Sequence, residues 1–127
     1  MASQSLDITL KLSSDSAING IFSLNKTLTD TLTFDDSEVN AKTVTVPVHP
    51  GTPTEIVATT ASDTYAYIKN NDVTNFIQVR RILGGPYDTL KLNPGEFIFV
   101  CVYAGMGLQL LANGGDCVTE YVTFKKA

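Results

Sequence analysis

Apolar and polar residues alternate along most of this chain, and the alternation has a period of two. Between Leu6 and Leu12, leucine and isoleucine occupy the even positions, while aspartate, threonine and lysine occupy the odd positions. The same period continues, with interruptions, from Phe22 to Phe34. A period of two is that of a β-strand with one buried and one solvent-facing side, and no useful window shows the apolar spacing of a helix. The pattern therefore predicts an all-β protein.

Further strands follow at a spacing of about ten residues, separated by residues that favour turns. They are predicted over 43–48, 55–60, 64–69, 76–83, 89–92, 97–103, 108–111 and 118–124. About nine or ten short strands joined in this way indicate an antiparallel sandwich or barrel. With 127 residues, the chain has the length of a single domain, 1–127.

Local features refine this prediction. Charged residues interrupt the apolar side of the second region, so a bulge or break is expected near 25–26 or at Asp30. A polar loop is predicted over 35–40. Pro47 lacks a backbone donor, which places its strand at a sheet edge or places Pro47 at the end of that strand. Asn93-Pro94-Gly95 fits a type II turn, in which glycine supplies the positive φ.

The strand predicted over 97–103 is apolar on both sides. One side carries Phe97, Phe99, Cys101 and Tyr103, and the other carries Ile98, Val100 and Val102. A sandwich strand normally has one side in contact with water. Either another part of the chain covers the second side, or a neighbouring subunit does. The candidate subunit interface consists of Ile98, Val100 and Val102.

Composition limits the classes of partner. Charged residues make up 17%, and the net charge is -4. A chain of this kind offers no basic face for a phosphate backbone, so no nucleic-acid partner is expected. No apolar stretch approaches the ~18 residues of a membrane helix, so no membrane partner is expected either.

The first residues lack the basic and apolar regions of a signal peptide. We therefore expect synthesis in a cytoplasm without signal-directed secretion. Residues 1–5 are predicted to be a flexible N-terminal arm. Cys101 and Cys117 are predicted to be reduced cysteines that pack in the core as small apolar residues.

Residues able to carry chemistry are sparse. The single histidine, His49, lies in a proline-rich loop, and no activated-serine motif accompanies it. One histidine and two separated cysteines do not supply the ligands of a zinc site. The stretches 35–38 and 70–72 have oxygen ligands suited to calcium, but such residues also bond their own backbone at turns, which is the preferred interpretation.

Acidic residues show no pairing typical of glycoside hydrolysis. They include Asp63, Asp88, Glu96, Asp116 and Glu120. The sequence therefore predicts a non-enzymatic module with no catalytic residue, no cofactor and no metal.

The second half of the chain resembles small β-sandwich virion proteins of tailed bacteriophages. Tyr65–Asp72 is a hydrophobic strand that ends in an asparagine-rich turn, and Thr74–Val79 follows it as a second strand. Leu90–Phe97 contains a Leu-Asn-Pro-Gly-Glu turn that leads into an apolar strand, and Glu120–Phe124 ends the pattern on an aromatic residue. The resemblance covers residues 64–124 and implies a jelly-roll-like antiparallel β-sandwich in a virion.

The resemblance implies a structural role, most specifically a capsid decoration or cement protein that binds and stabilises an assembled shell. Its partner would then be the major capsid protein or another virion protein, and the chain is expected to form a trimer or a dimer. Two alternatives stay open. One is a β-domain of a phage tail, neck or fibre, and the other is a glycan-binding sandwich, which predicts an exposed row of tyrosines.

Overall fold

The computed structural model describes residues 3–13, 25–83 and 87–126. Within these ranges the chain forms nine strands. They are β1 (Ser3–Ser13), β2 (Asn25–Val46), β3 (Thr54–Val57), β4 (Thr64–Asn70), β5 (Phe76–Arg81), β6 (Tyr87–Leu92), β7 (Phe97–Val102), β8 (Leu108–Asn113) and β9 (Cys117–Lys126). The prediction of an all-β antiparallel fold is confirmed.

The strands form two sheets that pack face to face. The five-stranded sheet has the order β1-β2-β9-β4-β7, and the four-stranded sheet has the order β3-β8-β5-β6. Strands β2 to β9 pair from the outside inwards, β2 with β9, β3 with β8, β4 with β7 and β5 with β6. This nested antiparallel pairing, folded over into two sheets, is the strand order of a jelly roll, with β1 added at one edge.

The core lies between the two sheets. Alternate residues of each strand point into it, as the period of two requires. Its buried members are Val46, Ile56, Val57, Ala66, Ile68, Ile77, Val79, Leu92, Val102, Leu108, Leu110, Ala112, Cys117 and Tyr121. Both sheets contribute branched aliphatic side chains, which suit a pleated surface.

A buried asparagine ties the ends of three strands together. The Nδ2 of Asn70 donates to the carbonyls of Asn75 and Leu92, at 2.9 and 3.1 Å. Its Oδ1 accepts from the backbone N–H of Asp72 at 2.9 Å. A fully buried amide is stable only when its polar atoms are paired in this way. The asparagine at the end of β4 therefore has a structural role in the turn that follows.

The same turn uses Asp72 as a local acceptor. Its Oδ2 accepts from the backbone N–H groups of Asn75 and Thr74, at 2.8 and 3.0 Å. These two hydrogen bonds lower the pKa of the Asp72 carboxyl. The turn interpretation of residues 70–72 agrees with this geometry, because the oxygens that suggested calcium are used by the turn's own backbone.

The predicted type II turn between β6 and β7 is confirmed. Gly95 has a φ of 82°, and the N–H of Glu96 donates to the carbonyl of Asn93 at 3.0 Å. The Glu96 carboxylate accepts from the N–H of Asn93 at 2.6 Å, which closes the turn from the other side.

Strand β2 differs from its prediction. It runs unbroken over 22 residues, so the loop predicted over 35–40 is wrong. The irregularity expected near 25–26 or at Asp30 lies instead between Phe34 and Val39, where the register against β9 shifts. A bulge accommodates polar residues without ending the strand, and the sequence pattern does not distinguish the two cases. Pro47 follows the last residue of β2, as predicted.

The predicted N-terminal arm also differs. Ser3–Ser5 belong to β1 and pair with β2, so they are not free. Met1 and Ala2 lie outside the described residues.

Candidate interaction surface

The register of the five-stranded sheet decides which residues face away from the core. Direct partners in neighbouring antiparallel strands lie on the same side of a sheet. Ala66 and Ile68 of β4 are fully buried, so the odd positions of this strand face outwards. Tyr65 pairs with Cys101 and Phe124.

Tyr67 and Lys69 are the next outward-facing residues of β4 after Tyr65. Tyr67 pairs with Phe99 and Val122, and Lys69 pairs with Phe97 and Glu120. The outer side of β4, β7 and β9 is therefore apolar and aromatic, apart from Lys69 and Glu120.

The same side continues across β2 and β1. Val39 pairs with Phe124, and Phe34 pairs with Lys126, which is on the same side of β9. Beyond the register shift, Leu32 pairs with Leu6. Apolar residues of the arm strands and of β9, β4 and β7 therefore lie on the same side of the sheet, and we call this side the outer apolar face. It also carries the polar residues Asp30, Thr43, Thr45, Lys69 and Glu120, and the side chains of residues 34–38 lie outside the described part. Its described apolar members are Leu6, Ile8, Leu10, Leu32, Val39, Tyr65, Tyr67, Phe97, Phe99, Cys101, Val118, Val122 and Phe124.

Large apolar side chains on this face are open to solvent. The exposed fraction is 62% for Phe97, 48% for Val39, 43% for Leu10 and Val118, and 39% for Phe99. Singly exposed apolar residues are common, but a contiguous set across one sheet indicates an interaction surface.

Aromatic rings hold one another in place where the face crosses β9, β4 and the edge strand β7. Tyr65 stacks on Phe99 with centroids 5.9 Å apart and contacts Phe124 at 5.4 Å. The rings of Phe99 and Phe124 are 6.2 Å apart, and those of Tyr67 and Phe97 are 6.4 Å apart. These separations are those of favourable aromatic pairs. The cluster is therefore already ordered, which lowers the entropy cost of binding a partner.

One polar pair lies within the outer apolar face. The hydroxyl of Tyr67 donates to Oε1 of Glu120 at 3.2 Å. Partial burial and the neighbouring Glu120 carboxylate raise the pKa of the Tyr67 hydroxyl. The pair lines an open depression of about 390 Å³, together with Ala41, Thr43 and Val122. It gives an otherwise apolar surface a directional hydrogen-bonding group.

Strand β1 and the first part of β2 form a two-stranded ribbon, which we call the arm (residues 3–13 and 25–35). Its apolar side belongs to the outer apolar face. Its other side is polar and rich in threonine, and there the hydroxyl of Thr31 donates to Oδ1 of Asp7 at 2.9 Å. A two-stranded ribbon is only marginally stable in water without further packing.

The structure places the predicted interface residues on the opposite side of β7. Val102 is buried, and Ile98 and Val100 are partly buried against the core. The exposed apolar residues of this strand are Phe97 and Phe99. The side of β7 that carries Ile98, Val100 and Val102 is therefore covered by the same chain, which is the first of the two alternatives given for this strand.

The remaining candidate residues are used mainly by the fold. His49 is exposed in the loop after β2. The carboxylates of Asp63 and Asp116 accept from the backbone N–H groups of Ala104 and Val48, both at 2.8 Å. Among the side chains that the structure describes, no group of three or more His, Cys, Asp or Glu is placed to hold a metal ion. The side chains of residues 35–38 and of Asp88 lie outside that part.

The cysteines occupy different environments. Cys117 is buried in the core, as predicted, whereas Cys101 is exposed on the outer apolar face, so its predicted core position is wrong. Burial, with smaller contributions from Asp72 and Asp116, raises the pKa of the Cys117 thiol to about 11.

The tyrosine row expected of a glycan-binding surface is not formed by the described tyrosines. Tyr65 and Tyr121 are buried, Tyr67 is partly buried, and Tyr103 is exposed in the loop after β7. The side chain of Tyr87 lies outside the described part of the chain.

No protein-family model and no curated protein matches this chain. Among the described residues, no helix has the length and apolar character needed to cross a bilayer.

Proposed function

We propose that this protein is a structural module that binds a larger protein assembly through its outer apolar face. The most specific form of the proposal is a capsid decoration or cement protein of a tailed bacteriophage, bound to the assembled shell. The observation that carries it is the set of exposed apolar side chains on one side of the five-stranded sheet, among them Phe97 and Val39 on the sandwich and Leu10 on the arm.

Burial of this face would provide the binding free energy. Each Å² of apolar surface removed from water contributes about 25 cal/mol. Aromatic side chains at the centre of an interface contribute the most, because they bury a large area with few rotatable bonds. Phe97 and Phe99 are the exposed aromatic side chains of this face, and the buried rings of Tyr65 and Phe124 hold Phe99 in place.

Two further points support a virion role. The jelly roll is common in viral capsid proteins, although it also occurs in lectins, and a fold alone does not fix a function. The turns of residues 64–124 resemble those of small phage virion proteins. A rigid sandwich with one apolar outer side suits a protein that must bind many identical sites on a lattice.

The test is binding to assembled shells of the major capsid protein encoded with this chain. We expect the purified protein to co-sediment with shells and to raise the temperature at which they break. Phe97→Asp should weaken co-sedimentation by about tenfold or more, since removing the carboxylate from water and losing the aromatic contact area cost at least ~1.4 kcal/mol, even with Lys69 directly opposite. Val73→Asp is the control, because it adds the same charge at an apolar residue that is 89% exposed and lies outside the face.

Equal binding of the Phe97→Asp and Val73→Asp variants would show that the outer apolar face is not the contact surface. Shells that bind none of the protein would overturn the capsid role. Binding to isolated tails instead of shells would favour the tail, neck or fibre alternative with the same contact face.

A further inference from the structure

Among the strands that the structure describes, none pairs with the outer edge of β1. Strand β1 is the terminal strand of its sheet, and its register against β2 is regular from Ser3 opposite Asp35 to Ser13 opposite Asn25. It has 11 residues, whereas the edge strands β3, β6 and β7 have 4, 6 and 6. A long, regular edge with unpaired backbone groups is a template for a strand of another chain, unless bulges, prolines or inward-pointing charges protect it.

We propose that β1 pairs antiparallel with β1 of a second copy of this chain, on a two-fold axis at Thr9. This pairing extends the five-stranded sheet into a ten-stranded one that crosses both copies. It does not depend on the capsid role, because it uses the edge of the sheet and not its outer apolar face.

Charge complementarity selects this register. With Thr9 opposite its own copy, Asp7 lies opposite the partner's Lys11, and Lys11 lies opposite the partner's Asp7. Ile8 lies opposite the partner's Leu10, so the apolar side also continues. Asp7, Thr9 and Lys11 are all exposed on the polar side of the arm. Opposite charges on directly paired residues stabilise a sheet.

The other registers lack this match. An antiparallel register centred on Asp7 places two aspartates opposite each other, and one centred on Lys11 does the same with two lysines. An in-register parallel pairing places like charges opposite each other at both residues, and a staggered one forms at most one of the two attractive pairs. Like charges on directly paired residues are destabilising. Centring on Ile8 or Leu10 keeps the apolar side continuous but leaves both charges opposite uncharged residues.

The opposite edge of the arm is less suited to pairing. There, Asp30 lies on the apolar side of β2, paired with Ile8, and pairing would bring its charge against leucines. From Phe34 onwards this edge is taken by β9. An inward-pointing charge is a known protection of strand edges.

The geometry also separates the two sandwiches. The sandwich joins the arm at the Ser3 end of β1, where Gln4 pairs with Phe34. An antiparallel pairing therefore places the two sandwiches at opposite ends of the paired strands. A two-fold interface of this kind is closed and gives a dimer.

The first test is a site-specific disulfide in a Cys101→Ser background, with diamide as oxidant. Thr9→Cys places two thiols on the proposed axis, whereas Thr29→Cys places them on the neighbouring strand, because Thr9 pairs with Thr29. A disulfide requires Cβ atoms about 4 Å apart, so Thr9→Cys should cross-link at least about tenfold faster than Thr29→Cys. Faster cross-linking of Thr29→Cys would overturn the proposal in favour of the β2 edge.

The second test is charge reversal, with the mass measured by light scattering over a range of concentrations. The unchanged chain should dimerise. Lys11→Asp should weaken the dimer roughly tenfold, since two attractive pairs become repulsive. Asp7→Lys combined with Lys11→Asp restores both pairs and should recover most of the affinity.

A monomer at all concentrations, or a trimer, would overturn the proposal. So would a dimer that neither cross-links at position 9 nor responds to the charge reversal. Circular dichroism of each variant distinguishes a lost interface from a lost fold. Loss of the dimer with shell binding retained would leave the proposed function standing, and the reverse result would remove only that function.

Discussion

The two sheets of this protein differ most in their outer sides. The outer side of the four-stranded sheet is mostly polar and charged, and the Nζ of Lys91 lies 4.2 Å above the ring of Phe76. Its described residues include Glu55, Gln78, Arg80, Lys91 and Gln109, together with two apolar residues, Phe76 and the buried Leu111. The five-stranded sheet instead presents Phe97, Phe99 and Val39.

An antiparallel sheet in a sandwich normally has one side in the core and one in water. The four-stranded sheet largely follows this rule, and so does the arm, whereas β9, β4 and β7 of the five-stranded sheet carry apolar residues on both sides. The core explains only the inner side. This difference between the two outer sides is the basis of the proposed contact between the outer apolar face and a partner.

The largest effect is expected from testing the two sides of β7. Val102→Asp places a charge in the core and should lower the free energy of unfolding by about 3–5 kcal/mol, enough to unfold a marginally stable domain. Phe97→Asp changes an exposed residue of the same strand and should lower it by less than about 1 kcal/mol. Urea denaturation followed by circular dichroism measures both.

If both variants unfold the protein to the same extent, the outer side of β7 supports the fold as much as the inner side does. The outer apolar face would then contribute to folding as a core surface does, and its apolar residues would no longer support a contact with a partner.

The reactivity of the two cysteine thiols distinguishes the two sides of the five-stranded sheet. Cys101 is exposed, whereas Cys117 is buried with its thiol pKa raised to about 11. Only the thiolate reacts, and at pH 8 a group with that pKa is about one part in a thousand thiolate. Iodoacetamide labelling followed by mass spectrometry should therefore modify Cys101 at least about a hundredfold faster than Cys117.

Raising the pH to 9 should leave Cys117 largely unmodified, because its thiolate forms only as the pH approaches about 11. Labelling in 8 M urea is the control in which both cysteines should react. If the outer apolar face is covered in an assembly, Cys101 should lose its reactivity there. Rapid labelling of Cys117 in the folded protein would contradict its buried position.

The comparison also shows what the sequence can predict. The period of two gave the strands of the second half closely, because short strands bounded by turn residues such as Asn93-Pro94-Gly95 carry both signals. It failed over 35–40, where a polar stretch continues β2 through a register shift. Local composition does not reveal whether a neighbouring strand pairs with a polar segment.

The outer apolar face was harder to predict for the same reason. The alternation in β7 identified two apolar sides but not which of them faces the core. That depends on the register with β4, where Tyr67 pairs with Phe99. Tyr65 and Phe124 are separated by more than fifty residues in sequence, and only the pairing of β4 with β9 brings them together. Single-strand patterns contain no register information.

A smaller effect is expected from the inner side of β9. The Oγ1 of Thr119 is buried and has no hydrogen-bond partner among the described residues. Thr119→Val removes the unpaired hydroxyl and keeps the shape, so it should raise the free energy of unfolding by about 1 kcal/mol. Thr64→Val is the control, because its hydroxyl donates to the carbonyl of Ser62 at 2.8 Å and its loss should cost about 1 kcal/mol. Equal effects in urea denaturation would show that the Thr119 hydroxyl is paired in solution.

The smallest effect concerns the polar pair within the outer apolar face. Partial burial and Glu120 raise the pKa of Tyr67, so the folded protein holds this proton more tightly than the unfolded chain does. The pair therefore stabilises the fold below the ordinary tyrosine pKa of about 10, and this contribution is lost as the pH rises through the raised value.

An ultraviolet titration at 295 nm should show a tyrosine that ionises at a higher pH than a free tyrosine, and Glu120→Gln should bring its pKa closer to 10. Tyr67→Phe is the control, in which the late transition should disappear. If that transition persisted, the late proton would belong to another tyrosine, and the hydrogen bond between Tyr67 and Glu120 would not hold in solution.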